Sequence, residues 1–143
     1  MKISILLPYK ENFSPDYPGA VSLFVYETTK NSNYKRKITI SGNTNFKKKF
    51  KLKYINIELK KDLFSSQTNK YVKKFINLEK ETNSQIIEVH NRPIYIQILK
   101  NAIKNKVFTL FFHNDPLSMD GSKTIHERKI LLKTCYKIIF NSA

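Results

Sequence analysis

Short apolar runs alternate with amphipathic stretches along this 143-residue chain. The segment Lys2–Tyr9 (KISILLPY) suits a central strand buried on both faces, with Pro8 stopping the apolar run. A polar loop from Lys10 to Gly19 follows. Val21, Phe24, Val25 and Thr28 then recur at helical spacing, which predicts a first helix from about Ala20 to Asn31. Lys37–Ser41 (KITIS) reads as a second strand closed by Gly42, and the basic stretch Asn45–Lys53 as loop. Tyr54–Leu59 (YINIEL) alternates as a third, edge strand, and Ser66–Thr82 reads as a polar helix with Val72, Phe75 and Ile76 turned inward.

The second half is more strongly patterned. Gln85–His90 (QIIEVH) is a strand, and Asn91-Arg92-Pro93 starts a helix because proline suits the first helical turn. Tyr95, Ile98, Leu99, Ala102 and Ile103 give that helix an apolar stripe. Val107–His113 (VFTLFFH) is an apolar strand, and Thr124 with Glu127 has capping-box spacing, so a helix is expected to start at Thr124. Tyr136–Phe140 (YKIIF) is the last strand, before Asn141-Ser142-Ala143. The order β-α-β-β-α-β-α-β-α-β predicts an α/β fold: one doubly wound, mostly parallel Rossmann-like sheet with helices on both faces. Helical crossovers force strands parallel, so their carboxyl ends share one edge, where function should sit.

Composition changes this picture little. Hydrophobic residues make up 41% and charged residues 26%, values of a globular domain. No stretch is long enough to cross a bilayer, and Ile3–Leu7 is too short for a signal-peptide core. The single Cys135 excludes an internal disulfide framework and fits a reducing cytoplasm; it reads as a packing residue. The net charge of +15 is carried almost wholly by lysine, with only Arg36, Arg92 and Arg128 as arginines. Such a lysine, asparagine and isoleucine skew follows from AT-rich codon usage. Readers of nucleic acid favour arginine, so nucleic-acid binding is disfavoured, and peripheral attraction to an anionic membrane fits better. The interleaved stretch Phe46–Lys53 is the one exception, and a solvated loop or lipid-facing patch explains it as well.

Four features line the expected edge. Gly19 stands before a helix, where backbone N–H groups can approach a phosphate, although neither GxGxxG nor a Walker motif is present. The alternative is that Gly19 only relieves the turn. His90 ends one strand and leads into Asn91 and Arg92; His113 ends the next and leads into Asn114 and Asp115. The paired histidines would face one crevice at a topological switch point, while Asn91 and Asp115 could equally cap turns. The fourth feature is the terminal Asn141-Ser142 turn. HExxH, CxxC and GxSxG are all missing, so neither a metal, a cofactor nor a serine nucleophile is expected. His126 is placed on the solvent side of the last helix.

The segments KISILLP, PGAVSLFVYE, IIEVHNRP, TLFFHNDP and KIIFNSA, in that order, resemble the amino-terminal domain of GT-B glycosyltransferases of the family 4 type. The resemblance spans essentially the whole chain. It implies that Gly19, with Ala20 opening the helix, lies near the donor diphosphate. It implies that His113 faces the donor sugar at the reaction centre, and that His90 lines the acceptor cleft, with Asn91, Arg92, Asn114 and Asp115 beside it. Asn141 and Ser142 would form the final turn on that cleft. Many members carry two adjacent glycines where this chain has Pro18-Gly19-Ala20.

The resemblance further implies transfer of a sugar from a nucleotide-sugar donor to a glycan or lipid-linked acceptor in cell-envelope synthesis, in the cytoplasm or at the inner membrane face. Residues 1–143 would be the acceptor-side domain; the donor-binding domain is expected to be absent, supplied by a second Rossmann-like domain or chain. The isolated chain is then expected to be inactive. The rival expectations are a non-catalytic binding or membrane-docking module of a split transferase, and a basic nucleic-acid-binding domain.

Overall fold

The computed structural model describes residues 1–60 and 66–141. Its strands are β1 (Ile3–Leu6), β2 (Ile38–Gly42), β3 (Tyr54–Asn56), β4 (Ile86–His90), β5 (Val107–Phe112) and β6 (Cys135–Phe140). Its helices are α1 (Ala20–Lys30), α2 (Gln67–Thr82), α3 (Pro93–Ala102) and α4 (Ile125–Thr134). The strands form one sheet in the order β3-β2-β1-β4-β5-β6, and every pair is parallel. This is the doubly wound Rossmann-like arrangement, in which strand order reverses direction between β1 and β4.

Alternation along β1 separates the two halves of the core. Ile5 and Leu7 pack with Val21 and Val25 of α1, whereas Leu6 packs with Tyr71, Val72 and Phe75 of α2 and Tyr95, Ile96 and Leu99 of α3. Helix α1 therefore covers one face, and α2, α3 and α4 the other. No helix joins β2 to β3. Instead Phe50 and Leu52 pack onto the α1-side core, with the Phe50 ring stacked on Tyr26 at 4.1 Å. The flanking Lys47, Lys48, Lys51 and Lys53 are exposed. In the basic stretch, then, the aromatic Phe50 is committed to packing.

Several expectations shift in detail. Strand β3 keeps its edge position but ends at Asn56, three residues earlier than its alternation suggested. The stripe of α3 is rotated: Ile96 is buried, Ala102 is exposed and Ile98 is only partly buried, because α3 packs between α2 and α4 as well as on the sheet. Strand β5 is not buried on both faces. Phe108, Leu110 and Phe112 are buried under the helices, but Thr109 and Phe111 on the α1 side are half-buried. Helix starts are as expected, with Ser66 capping α2 and Thr124 forming a full capping box with Glu127 on α4. His126 is exposed, and Cys135 packs against the core at the start of β6.

Three side chains fix the middle of the sheet. The Tyr71 hydroxyl donates to the Leu7 carbonyl at 2.8 Å, and the Tyr95 hydroxyl accepts from the Tyr9 N–H at 3.0 Å. Both tie the exit of β1 to the helices behind it. At the opposite end, the Glu79 carboxylate is 3% exposed and accepts from the hydroxyls of Ser4 and Ser84, linking α2, β1 and the entry to β4. Glu79→Ala strands two buried hydroxyls and should cost about 2–4 kcal/mol, with Glu79→Gln costing less. Urea denaturation checks this, and a loss below about 0.5 kcal/mol would contradict the linking role. Gly121, at φ +93°, has no room for a Cβ, which would lie 2.5 Å from the Ile94 nitrogen at the start of α3.

Candidate functional site

The strand order reverses between β1 and β4, and at such a switch point the carboxyl ends of the strands are where folds of this kind form a ligand crevice. Strand alternation decides which side chains reach it. Glu88 and His90 lie two residues apart on β4 and share its α1-side face. His90 pairs in register with Phe111 of β5, and its ring stacks on Phe111 at 4.7 Å and 10°. His113 lies two residues beyond Phe111 on the same face. Its Nε2 is 2.9 Å from His90 Nδ1, while His90 Nε2 is 2.7 Å from Glu88 Oε1. Asn141, just past β6, brings its amide nitrogen to 3.5 Å from His113 Nδ1. Phe24 of α1 closes the cluster, its ring edge-on to His113 at 4.9 Å.

Asn91 sets the registration of this cluster. It takes φ 55°, a left-handed conformation asparagine tolerates well, directly after β4. Its N–H donates to the Phe111 carbonyl at 2.7 Å, and its Oδ1 accepts from the His113 N–H at 3.1 Å. Buried Asn91 thus joins the ends of β4 and β5. Arg92 is exposed and folds back onto the Asn91 carbonyl at 2.7 Å. Asp115 caps the turn Pro116–Ser118 through the Leu117 N–H at 2.9 Å, and Asn114 is exposed. Ser142 lies outside the described residues.

Burial of its ring lowers His113 from the ordinary value of 6.5 to about 4; neighbouring His90 adds to the fall and Glu88 opposes it. His113 is therefore a neutral imidazole at neutral pH. Burial also pushes the Cys135 thiol up to about 12, which removes thiolate chemistry there.

At the start of α1, Gly19 takes φ −67° and ψ 151°, a conformation open to any residue. The reason for glycine is space: a Cβ would lie 1.9 Å from Glu11 Oε1. That same oxygen accepts from the Ser22 N–H at 3.0 Å, so the Glu11 carboxylate occupies the positive end of α1. Ala20 is exposed beside it. The structure brings His90, Asn91, His113 and Asn141 together; Gly19 and Ala20 stand apart, on the helix that carries Phe24.

Sequence reasoning missed Glu88, Glu11 and Phe24. The signal for Glu88 was present, since Glu88-Val89-His90 in a strand places the acid and the histidine on one face. A polar cleft of about 440 Å³ at the ends of β2 and β3, lined by Asn43, Thr44, Asn45, Lys47, Asn56 and Glu58, was also unforeseen. Among the described residues, no group of three or more His, Cys, Asp or Glu side chains could hold a metal ion, and no helix is long and apolar enough to cross a membrane.

No protein-family model matches the chain, and no match was found among curated proteins.

Two predictions follow from this geometry. The unfolded chain binds a proton on His113 near pH 6.5, whereas the folded chain resists it down to about 4. This contribution to stability is complete above about pH 6.5 and is lost as pH falls toward 4. Denaturation midpoints measured across that window should fall, and His113→Asn should flatten that part of the decline. Gly19→Ala should cost about 0.5–2 kcal/mol by displacing the Glu11 carboxylate that caps α1. In a Glu11→Ala background the same substitution should cost almost nothing; an unchanged cost there would show that the clash is not the cause.

Proposed function

We propose that this domain is the acceptor-side half of a sugar transferase of the GT-B type, moving a sugar from a nucleotide-diphosphate donor to an acceptor hydroxyl in envelope glycan synthesis. The observation that carries this reading is the His90–His113–Asn141 cluster, a hydrogen-bonding group that presents neutral His113 at the carboxyl edge of a Rossmann-like sheet. Uncharged polar groups beside aromatic rings suit saccharide hydroxyls better than they suit a charged ligand. The strand-end sequences IIEVHNRP and TLFFHNDP, which resemble that family, contribute these two histidines. In this reading the domain positions the acceptor, while the departing diphosphate is stabilised largely by a second Rossmann-like domain or chain.

Titration of the 143-residue chain with nucleotide sugars and oligosaccharides, followed by amide chemical shifts, should perturb residues around His90, His113 and Asn141. His113→Ala should weaken that binding about tenfold, the scale of one hydrogen bond. The chain alone should release no nucleoside diphosphate. Sustained release without a partner, or binding confined to nucleic acid and lost in modest salt, would overturn the proposal.

A peripheral membrane contact is part of the same proposal. It is supported by Tyr17, 83% exposed with its ring 6.2 Å from Phe46, and by the neighbouring exposed Lys47 and Lys48. Sedimentation with phosphatidylglycerol vesicles should weaken about fivefold for each of Lys47→Ala and Lys48→Ala, from about 1 kcal/mol per lysine near the surface. Equal binding to neutral phosphatidylcholine vesicles would contradict it.

A further inference from the structure

Glu88, His90, His113 and Asn141 form one continuous line of hydrogen-bonding contacts from within the sheet to its carboxyl edge. The chemistry of its two ends fixes the direction of every bond between them. A carboxylate oxygen accepts, so His90 Nε2 carries the hydrogen in its contact with Glu88. An amide nitrogen donates, so His113 Nδ1 facing Asn141 is the bare nitrogen. Neutral His113 must then carry its proton on Nε2, and His90 Nδ1 receives it. With both rings neutral, each donor meets an acceptor only in this one arrangement.

The surroundings hold the rings in place. His90 has no exposed side-chain surface, whereas Glu88 is 23% exposed. Phe111 lies flat against His90 and Phe24 stands edge-on to His113, which restricts rotation of either imidazole. Asn91 anchors the backbone of His113 through its N–H. The remaining freedom is the choice of tautomer, and that choice is made by Glu88.

We infer that Glu88 is a positioning residue that acts through His90 to hold His113 with its proton on Nε2, so that the Nδ1 lone pair at the edge, where Asn141 now donates, accepts a ligand hydroxyl in its place and rejects a phosphate oxygen that carries no hydrogen. That the hydroxyl belongs to a sugar rests on the transferase reading; the polarity of the line does not. A phosphate oxygen without a hydrogen, as in a phosphodiester, would set acceptor against acceptor at Nδ1. Its binding would require a proton on a ring whose burial disfavours the charge. This line therefore selects for an uncharged, hydroxyl-bearing portion of a ligand.

Long-range proton–nitrogen correlation spectra of the histidine-labelled chain at neutral pH read the tautomers directly. The expected result is a bare Nδ1 and a protonated Nε2 on both rings. Glu88→Leu removes the terminal acceptor and should convert His113 to a mixture of tautomers. Glu88→Gln, whose amide oxygen can still accept, should keep the single form. A protonated His113 Nδ1 in the unaltered chain would overturn the inference, as would an unchanged single tautomer in folded Glu88→Leu. If Glu88→Leu does not fold, the unaltered chain and Glu88→Gln still decide, since a tautomer mixture in either overturns it. Dimethyl phosphate, which carries no O–H at neutral pH, should leave the His113 nitrogens unmoved; protonation of Nδ1 on adding it would also overturn the inference. If oligosaccharides leave His113 unmoved while the single tautomer is seen, the transferase reading fails and the role of Glu88 stands.

Discussion

The pairing of β1 with β2 on one side and with β4 on the other, parallel in both cases, is the constraint on which the rest of the molecule depends. From that central strand the chain first winds one way, through α1 to β2 and β3. It then returns across β1 and winds the other way, through α2 to β4, β5 and β6. Parallel strands need long crossovers, and reversing the direction of winding places those crossovers on opposite faces. The connections on either side of β1 therefore diverge at its carboxyl end, which opens the crevice. Tyr71 and Tyr95 hold the exit of β1 against the helices behind it, so the floor of the crevice is rigid.

Register then does for the side chains what topology does for the strands. The pairing of His90 with Phe111 puts Glu88, His90, Phe111 and His113 on one face, and a slip of one residue would send all of β4 to the other. Asn91 guards against that slip, because its N–H and its Oδ1 both bond to β5 and the residue following it. The same face explains why polar groups are tolerated here. Helix α1 reaches this half of the sheet through Phe24, which lies against His90, Phe111 and His113, and Glu88, Thr109 and Phe111 stay half-buried. A fully covered face would have penalised a carboxylate and two imidazoles far more heavily.

Much of the fold was legible because its signals are local. The strands announce themselves as apolar runs, the Thr124–Glu127 capping box depends on a spacing of three residues, and Pro93 marks the start of α3. Details set by tertiary neighbours were not legible. Periodicity gives α3 a stripe, but two flanking helices decide which residues are buried, so Ile96 replaces Ala102. Likewise the apolar run of β5 does not reveal that one face is only partly covered, by Phe24 of α1 against Phe111. At the site, strand ends could be located from the sequence, and the two histidines with them. Glu88 was passed over because its importance lies in a contact across a strand face. Glu11 was passed over because nothing in a polar loop shows that its carboxylate folds back onto a helix 11 residues away.

These two acids alter what the basic composition of the chain means for its crevice. The net charge of +15 suggests an anion-binding protein, yet two groups that would meet an anion at this edge, the start of α1 and His113, are already satisfied, which leaves the exposed Arg92 and Lys10. The positive end of α1 is neutralised by Glu11, whose oxygen takes the Ser22 N–H that a phosphate would otherwise use. His113 is kept neutral by burial, and the line running to Glu88 ends on an acceptor. The exposed positive charge is spread widely over the surface, including Lys47, Lys48, Lys51 and Lys53 of the segment between β2 and β3. An anion can reach the α1 terminus only by displacing the Glu11 carboxylate, an exchange of one negative charge for another. A hydroxyl reaches His113 Nδ1 by taking the place of the Asn141 amide, an exchange of one neutral donor for another. At the start of α1 and at His113 the edge therefore presents neutral polar groups, whatever the lysine excess of the chain as a whole.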